Sequence, residues 1–359
     1  VSENKSGKGA VMGYRLSKAD GEKLFGMWAK RYDIFAPKRM EGEGCFSDTD
    51  IIRYGRVISP DQIVWDQKSD YSFKEVLLAI NETLFYFTEG QARVPEGPKK
   101  DRLIFLRSCD LHAVKRLDEI YLRNGFEDYY YKRVRERTKF ILMGCAVTCD
   151  SGFCISMGTS QSENYDAYIK AGEDEMLLDV KDSDLEMELA GKMPENTGED
   201  DATVAAETVL VTPEFPKENK EQVALPKKLS NASFTNEIWK EYGSRCIGCG
   251  RCNFVCPTCT CFTMQDIFYR DNPRTGERRR VWASCQIDGY TDMAGGHSYR
   301  QNQGDRMRFK VMHKIYDFEK RFGYIMCVGC GRCDNVCPEY ISYSNCINRL
   351  AKEEKADEE

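Results

Sequence analysis

The spacing of apolar positions predicts a chain that begins helical, passes into alternating strands and helices, and ends in a motif-bearing helical region. Over residues 14–30, Leu16, Leu24, Phe25 and Trp28 recur among charged residues at helical spacing. Leu103-Ile104-Phe105-Leu106 is an unbroken apolar run, fit for a buried strand. Asp110 then stands where an N-cap would, ahead of Leu111, Val114, Leu117, Ile120 and Tyr121 at helical spacing. Phe140-Ile141-Leu142-Met143 reads as the next strand, and strand, helix, strand at this spacing predicts a parallel α/β unit. Residues 181–233 turn rich in Asp, Glu, Lys, Asn and Pro, with one strand-like run, Thr208-Val209-Leu210-Val211. They read as the tail of a first domain plus a linker. From Trp239 onward the pattern is helical, with few β-branched runs. The expected class is therefore α+β: an N-terminal α/β domain over 1–232, then a mostly helical domain over 233–359. Residues 352–359 read as a charged tail that frays.

Composition adds limits. At 359 residues the chain exceeds the roughly 250 at which single cores stop growing, which favours two domains. With 41% hydrophobic residues it can bury a sizeable core. Net charge is −6, with 52 Lys and Arg against 58 Asp and Glu, so there is no basic footprint for nucleic acid. No stretch approaches the roughly 18 apolar residues of a membrane span, and residues 1–9 lack the apolar core of a secretory signal. The chain opens at Val1, with Met12 a candidate natural start and residues 1–11 a tail. A cytoplasmic location is expected.

The 17 cysteines change the picture most. Arg245-Cys-Ile-Gly-Cys-Gly-Arg-Cys-Asn-Phe-Val-Cys-Pro257 returns as Met326-Cys-Val-Gly-Cys-Gly-Arg-Cys-Asp-Asn-Val-Cys-Pro338. Each copy is C-x2-C-x2-C-x3-C-P. Three cysteines two residues apart can wrap three iron corners of a cubane, while the fourth, followed by proline, leaves the loop and ligates the other cluster. The spacing thus assigns one [4Fe–4S] cluster to Cys246, Cys249, Cys252 and Cys337. The second falls to Cys327, Cys330, Cys333 and Cys256. Gly248, Gly250, Gly329 and Gly331 permit the unusual backbone angles of the wrap. Paired zinc sites are the competing reading, but zinc leaves the third C-x2 step and the proline unexplained. Adjacent one-electron centres without a substrate pocket make an electron carrier, not a substrate-converting enzyme.

Cys109 follows the first predicted strand and Cys145 the second, with Cys149 and Cys154 just after. If those strands are parallel neighbours, all four thiols gather at the sheet's C-terminal edge, where α/β domains place their sites. A third [4Fe–4S] cluster is the sharper reading, and small buried core thiols the plainer one. Cys259, Cys261 and Cys285 lack an obvious fourth ligand and read as structural thiols, while Cys45 and Cys346 get no role. Arg278-Arg279-Arg280 reads as a solvated face or a dock for an acidic partner, and Gly295-Gly296-His297 as a plain turn. No G-x-G-x-x-G follows a strand, so dinucleotide binding is unsupported.

Several runs carry a family resemblance. They are Arg107-Ser-Cys-Asp110, Phe153-Cys-Ile-Ser-Met-Gly-Thr159, Cys256-Pro-Thr-Cys-Thr-Cys261, Arg278-Arg-Arg-Val-Trp-Ala-Ser-Cys285, Asp292-Met-Ala-Gly-Gly296 and His313-Lys314. From about Arg15 to Leu350 the chain resembles the iron–sulfur electron-transfer subunit of anaerobic sulfite reductase. More distantly it resembles the iron–sulfur β subunit of soluble NiFe hydrogenases, sulfhydrogenases included. Ser47-Asp-Thr-Asp50 and Glu82-Thr-Leu-Phe-Tyr-Phe87 favour the sulfite reductase branch. The resemblance implies a cytoplasmic three-subunit complex. A flavin subunit would take electrons from NAD(P)H or ferredoxin, and this chain would relay them to a sirohaem subunit that reduces sulfite to sulfide. Where the family has C-x-C in the third site, this chain has Gly152-Phe153-Cys154, which leaves Cys149 as the candidate replacement.

Overall fold

A computed structural model of the chain describes residues 11–44, 48–145, 149–189, 204–227, 229 and 231–356. Cys45, Ser47 and most of the expected N-terminal tail lie outside them. Among the described residues, ten strands run through the N-terminal part: β1 Val11–Ser17, β2 Tyr32–Met40, β3 Ile51–Arg56, β4 Asn81–Thr88, β5 Gln91–Arg93, β6 Asp101–Leu106, β7 Thr138–Met143, β8 Ala167–Ala171, β9 Glu175–Val180 and β10 Ala206–Val211. Eight of them form one sheet in the order β10-β1-β9-β8-β7-β6-β2-β3. Its centre is parallel, from β2 through β6 and β7 to β8, and antiparallel strands close both edges.

The central strands read as unbroken apolar runs because both of their faces are covered. Leu103, Phe105, Ile141 and Met143 point to one side, where Leu24, Phe25 and Trp28 of the helix Lys18–Arg31 pack on them. Ile104, Leu106, Phe140 and Leu142 point to the other, against Leu111, Val114 and Leu117 of the helix Ser108–Leu122. Val328 and Cys330 of the second cysteine repeat join that same cluster. Asp110 does not cap its helix. The N-cap position is Arg107, without a side-chain cap, and the Asp110 carboxylate faces Arg332 instead.

The region after residue 233 is not mostly helical. Two further strands, β11 Phe262–Phe268 and β12 Gly276–Trp282, pair with β4 and β5 in a second sheet of order β11-β12-β4-β5. The Arg278-Arg279-Arg280 run lies on β12 and is consumed internally. Arg278 forks onto Asp266 at 2.6 and 2.7 Å, Arg279 pairs with Glu277, and buried Arg280 reaches Glu82 at 2.8 Å and Asp128 at 2.6 Å. Arg278 thus pairs across the β11–β12 hairpin and Arg280 across β12 to β4, beside a hairpin whose outer strand is exposed. The second sheet joins strands far apart in the chain, so the two halves share it.

The remaining elements are helical. Ile238–Arg245 packs on Gln303–Met312, and a π-helical turn, His313–Asp317, links the latter to Phe318–Phe322. The last helix, Tyr343–Ala356, extends into the segment expected to fray and buries Cys346 and Ile347. Gly295 and Gly296 occupy left-handed angles in a tight hairpin turn. Among the described residues no helix is long and apolar enough to cross a membrane.

Candidate metal centres

Both cysteine repeats fold by the same local rules. Gly248 and Gly250 have φ of 68° and 75°, and Gly329 and Gly331 have φ of 64° and 71°. These left-handed angles curl each loop so that an amide meets a sulfur: Gly248 N–H lies 3.4 Å from Cys246 Sγ and Gly329 N–H 3.5 Å from Cys327 Sγ. The second glycine of each pair caps a short helix, Arg251–Phe254 or Arg332–Asn335, which turns the fourth cysteine away. Cys337 Sγ then accepts the Ile341 N–H at 3.3 Å. Burial raises the Cys246 thiol first of all, and the neighbouring Cys252, Cys249 and Cys337 add to the rise, so these four cysteines lie near one another.

The second repeat is the more enclosed. Cys327, Cys330, Cys333 and Cys256 line one cavity, with Lys310, Lys314, Thr258 and Tyr343 in its wall. The loop from Cys149 to Thr159 lies across this repeat. Phe153 N–H donates to the Gly329 carbonyl at 2.7 Å, Ser151 Oγ to the Gly331 carbonyl at 3.1 Å, and Thr159 Oγ1 to the Val328 carbonyl at 2.7 Å. Arg332 forks onto Asp110 at 2.7 and 3.0 Å, both buried, and donates to the Ser69 carbonyl at 2.9 Å. In the first repeat, by contrast, Cys249 and Ile247 are exposed.

Cys109, Cys145, Cys149 and Cys154 also line a single cavity. The expected reason applies: β6 and β7 are parallel neighbours, with Leu106 opposite Leu142, so the cysteines that follow them emerge side by side. Gly152 lines the cavity too, and Asn219 approaches Cys154 Sγ at 3.6 Å. Gly329 and Cys330 belong to the walls of both cavities, so the two spaces share one partition. Burial holds the Cys109 thiol well above its ordinary value, pushes Cys154 up to about 11 and Cys327 up to about 12. A metal bound at these positions would therefore displace protons. Among the described residues no three His, Cys, Asp or Glu side chains are gathered as for a single metal ion.

The insertion thiols pair off. Cys256 and Cys259 share a hydrogen bond that lowers the former and raises the latter. Between Cys261 and Cys285 the shared bond raises Cys261 and holds Cys285 down to about 6, helped by Gln286 and by Asn253, whose Nδ2 lies 3.0 Å from the Cys285 sulfur. Cys346 is a core thiol beside Tyr242.

Sequence reasoning missed the buried cations. Lys74, Lys310 and Lys314 are each 4% exposed and Arg107 is 5% exposed. Lys74 Nζ donates to the Cys259 carbonyl at 2.8 Å beneath the Trp282 ring, 4.0 Å from its centroid. Lys314 Nζ donates to Thr258 Oγ1 at 2.7 Å, and Arg107 to the carbonyls of Trp65 and Gln67 at 2.8 and 3.0 Å. None is paired with a carboxylate among the described residues; the groups that face them are cysteine sulfurs, and at Lys74 burial outweighs them and lowers the amine. Burial alone would pull Lys310 down, yet Cys252, Cys333 and Cys259 outweigh it and hold it well above the usual amine value. A buried cation without a counter-charge is costly, so these walls are built around an anion. A thiolate-ligated iron–sulfur cluster is such an anion, and the donor sets, enclosure and cations fit it. The signal was legible: Lys310 and Lys314 interrupt the apolar face formed by Met307, Val311 and Ile315.

Comparison with known proteins agrees with this chemistry. Residues 245–341 match the 4Fe-4S dicluster domain family. Sulfhydrogenase 2 subunit beta of Pyrococcus furiosus is 30% identical over 304 residues, covering 83% of this chain and 88% of the relative. No solved structure matches.

Proposed function

The chain belongs to the sulfhydrogenase β-subunit family, and on that premise we propose that it is the electron relay of a multi-subunit oxidoreductase, with two [4Fe–4S] clusters in its repeats and a third beside them. Cys246, Cys249, Cys252 and Cys337 would hold one cluster, and Cys327, Cys330, Cys333 and Cys256 the next. Cys109, Cys145, Cys149 and Cys154 would hold the third. The support is strongest in one observation: the third cysteine set lines a cavity that shares the Gly329–Cys330 partition with the second. Such clusters, when bound, take up and pass on single electrons. The chain's own part is to hold the thiolates, keep water from the inner sites and offset their charge with Lys310, Lys314 and Arg107.

The identity to the Pyrococcus furiosus protein favours a sulfhydrogenase-type assembly. In that reading the partners would be one flavin-bearing and one nickel–iron polypeptide. The second reading is the equivalent electron-transfer chain of a cytoplasmic anaerobic sulfite reductase, delivering electrons to a sirohaem partner. The runs Ser47–Asp50 and Glu82–Phe87 favour it. Anaerobic purification of the intact complex separates them. Bound nickel with hydrogen-dependent cluster reduction supports the first, and sirohaem absorption replaces it with the second. Iron of about 12 per chain is expected for three clusters and about 8 for two. Iron near zero would refute the relay.

A further inference from the structure

The two repeats are alike in their backbones, so side chains must distinguish their clusters. The amide-to-sulfur contacts are 3.4 Å in one and 3.5 Å in the other, and the glycine angles agree within a few degrees. The buried cations, however, are shared unequally. Lys310 and Lys314 both line the cavity of the Cys327 set. Among the groups that chiefly act on each lysine, Cys252 of the other repeat stands for Lys310 and not for Lys314.

The placement of these lysines is built rather than incidental. The helix Gln303–Met312 gives way to the π turn His313–Asp317, and the Lys314 carbonyl accepts the Met326 N–H at 2.9 Å, just before Cys327. That contact pins the lysine's backbone to the start of the second repeat, while Thr258 holds its amine. Lys68 adds another cation, donating from Nζ to the Cys330 carbonyl at 2.6 Å. Arg332 adds no net charge because Asp110 neutralises it.

Reduction adds one negative charge to a cluster, and a fixed cation in a low-dielectric wall favours that charge. Burial works in the opposite direction, since water stabilises added charge and the Cys327 set is the less exposed. Two cations in the cavity wall prevail, because a charge pair inside a protein interacts several-fold more strongly than one in water.

We propose that Lys310 and Lys314 make the cluster of the Cys327 set easier to reduce than that of the Cys246 set, so that an electron comes to rest at the centre of the three-site row. This rests on the cluster-binding reading above.

The test uses the full chain purified anaerobically, with iron and acid-labile sulfide measured before an EPR-monitored redox titration. A Cys249→Ser exchange identifies the signal of the Cys246 set. In the wild-type chain the other ferredoxin-type cluster is expected to reduce first. Lys314→Met should lower that cluster alone, cutting its reduced-to-oxidised ratio at fixed potential about tenfold, or about 59 mV for a one-electron couple. Lys310→Met should lower both clusters, and the charge-retaining Lys314→Arg should stay close to wild type. If Lys314→Met loses its iron, Lys310→Met carries the test. Unchanged potentials at full iron content overturn the proposal, as does earlier reduction of the Cys246-set cluster. An iron-free wild type would instead remove the cluster reading, and this proposal with it.

Discussion

The duplicated motif allows one substitution to be made twice, in surroundings that differ in a calculable way. Gly250 and Gly331 occupy equivalent positions with φ of 75° and 71°. Alanine at either must accept a left-handed backbone, at about 1–2 kcal/mol. What the new Cβ meets is different. At Gly250 the nearest atoms are the Ile287 side chain at 2.8 Å and Ser284 Cβ at 3.0 Å. Ile287 is partly exposed and can turn aside, so Gly250→Ala should cost roughly 2–3 kcal/mol in all. At Gly331 the Cβ would lie 2.1 Å from the Ser151 carbonyl oxygen, which is backbone. Relief requires the 149–154 loop to move, at the expense of the Ser151–Gly331 and Phe153–Gly329 hydrogen bonds. At roughly 1 kcal/mol each, these add about 2 kcal/mol to the shared strain. Anaerobic denaturant unfolding followed by cluster absorbance, with iron per chain, reads the difference. Gly331→Ala should unfold earlier and lose iron from both the Cys327 set and the Cys109 set, while Gly250→Ala keeps both. Equal midpoints and equal iron loss in the two variants would refute the reasoning.

Other consequences are independent of that loop. Asp110→Ala strands Arg332 as a buried unpaired charge and should cost about 3–5 kcal/mol, whereas Asp110→Ala combined with Arg332→Met should recover much of the loss; anaerobic thermal unfolding of the set checks this. Cys256→Ser should damage the cluster of the distant Cys327 set more than the adjacent one, and EPR showing loss of the Cys246-set signal alone would contradict the exchange. Burial pushes His313 down to about 4, so the folded chain keeps it neutral while the unfolded chain takes up a proton first. Its contribution is therefore complete above the ordinary histidine value of about 6.5 and declines as pH falls toward 4. His313→Phe, which keeps a ring against Phe309, should flatten stability across that window and leave it little changed near pH ~8.

The cysteine spacing was legible because the motif is local: three cysteines of each repeat sit within seven residues, and the glycines that allow the wrap stand between them. The parallel core was legible too, since strands covered on both faces become unbroken apolar runs such as Leu103–Leu106. β11 and β12 were not. Phe262, Met264 and Phe268 are exposed, so no buried face imposes an alternating pattern, and the backbone ladder to β12 with the Arg278–Asp266 pair holds β11. Asp110 was misread for a related reason. An aspartate early in a helix resembles a cap, and only the distant Arg332 explains its burial. Long-range ion pairing leaves no periodic trace in one segment.

The partition formed by Gly329 and Cys330 also bears on how the protein is made. The strands that present Cys109 and Cys145 are finished early in synthesis, yet the far wall of their cavity is a loop translated some 180 residues later. Until that loop arrives, four thiols stand in an open-sided pocket at a sheet edge. The N-terminal half can thus acquire its secondary structure on the ribosome, but it cannot close its own site. If that site holds the proposed third cluster, delivery to it would be a late event, tied to release of the complete chain and to prior folding of the second repeat.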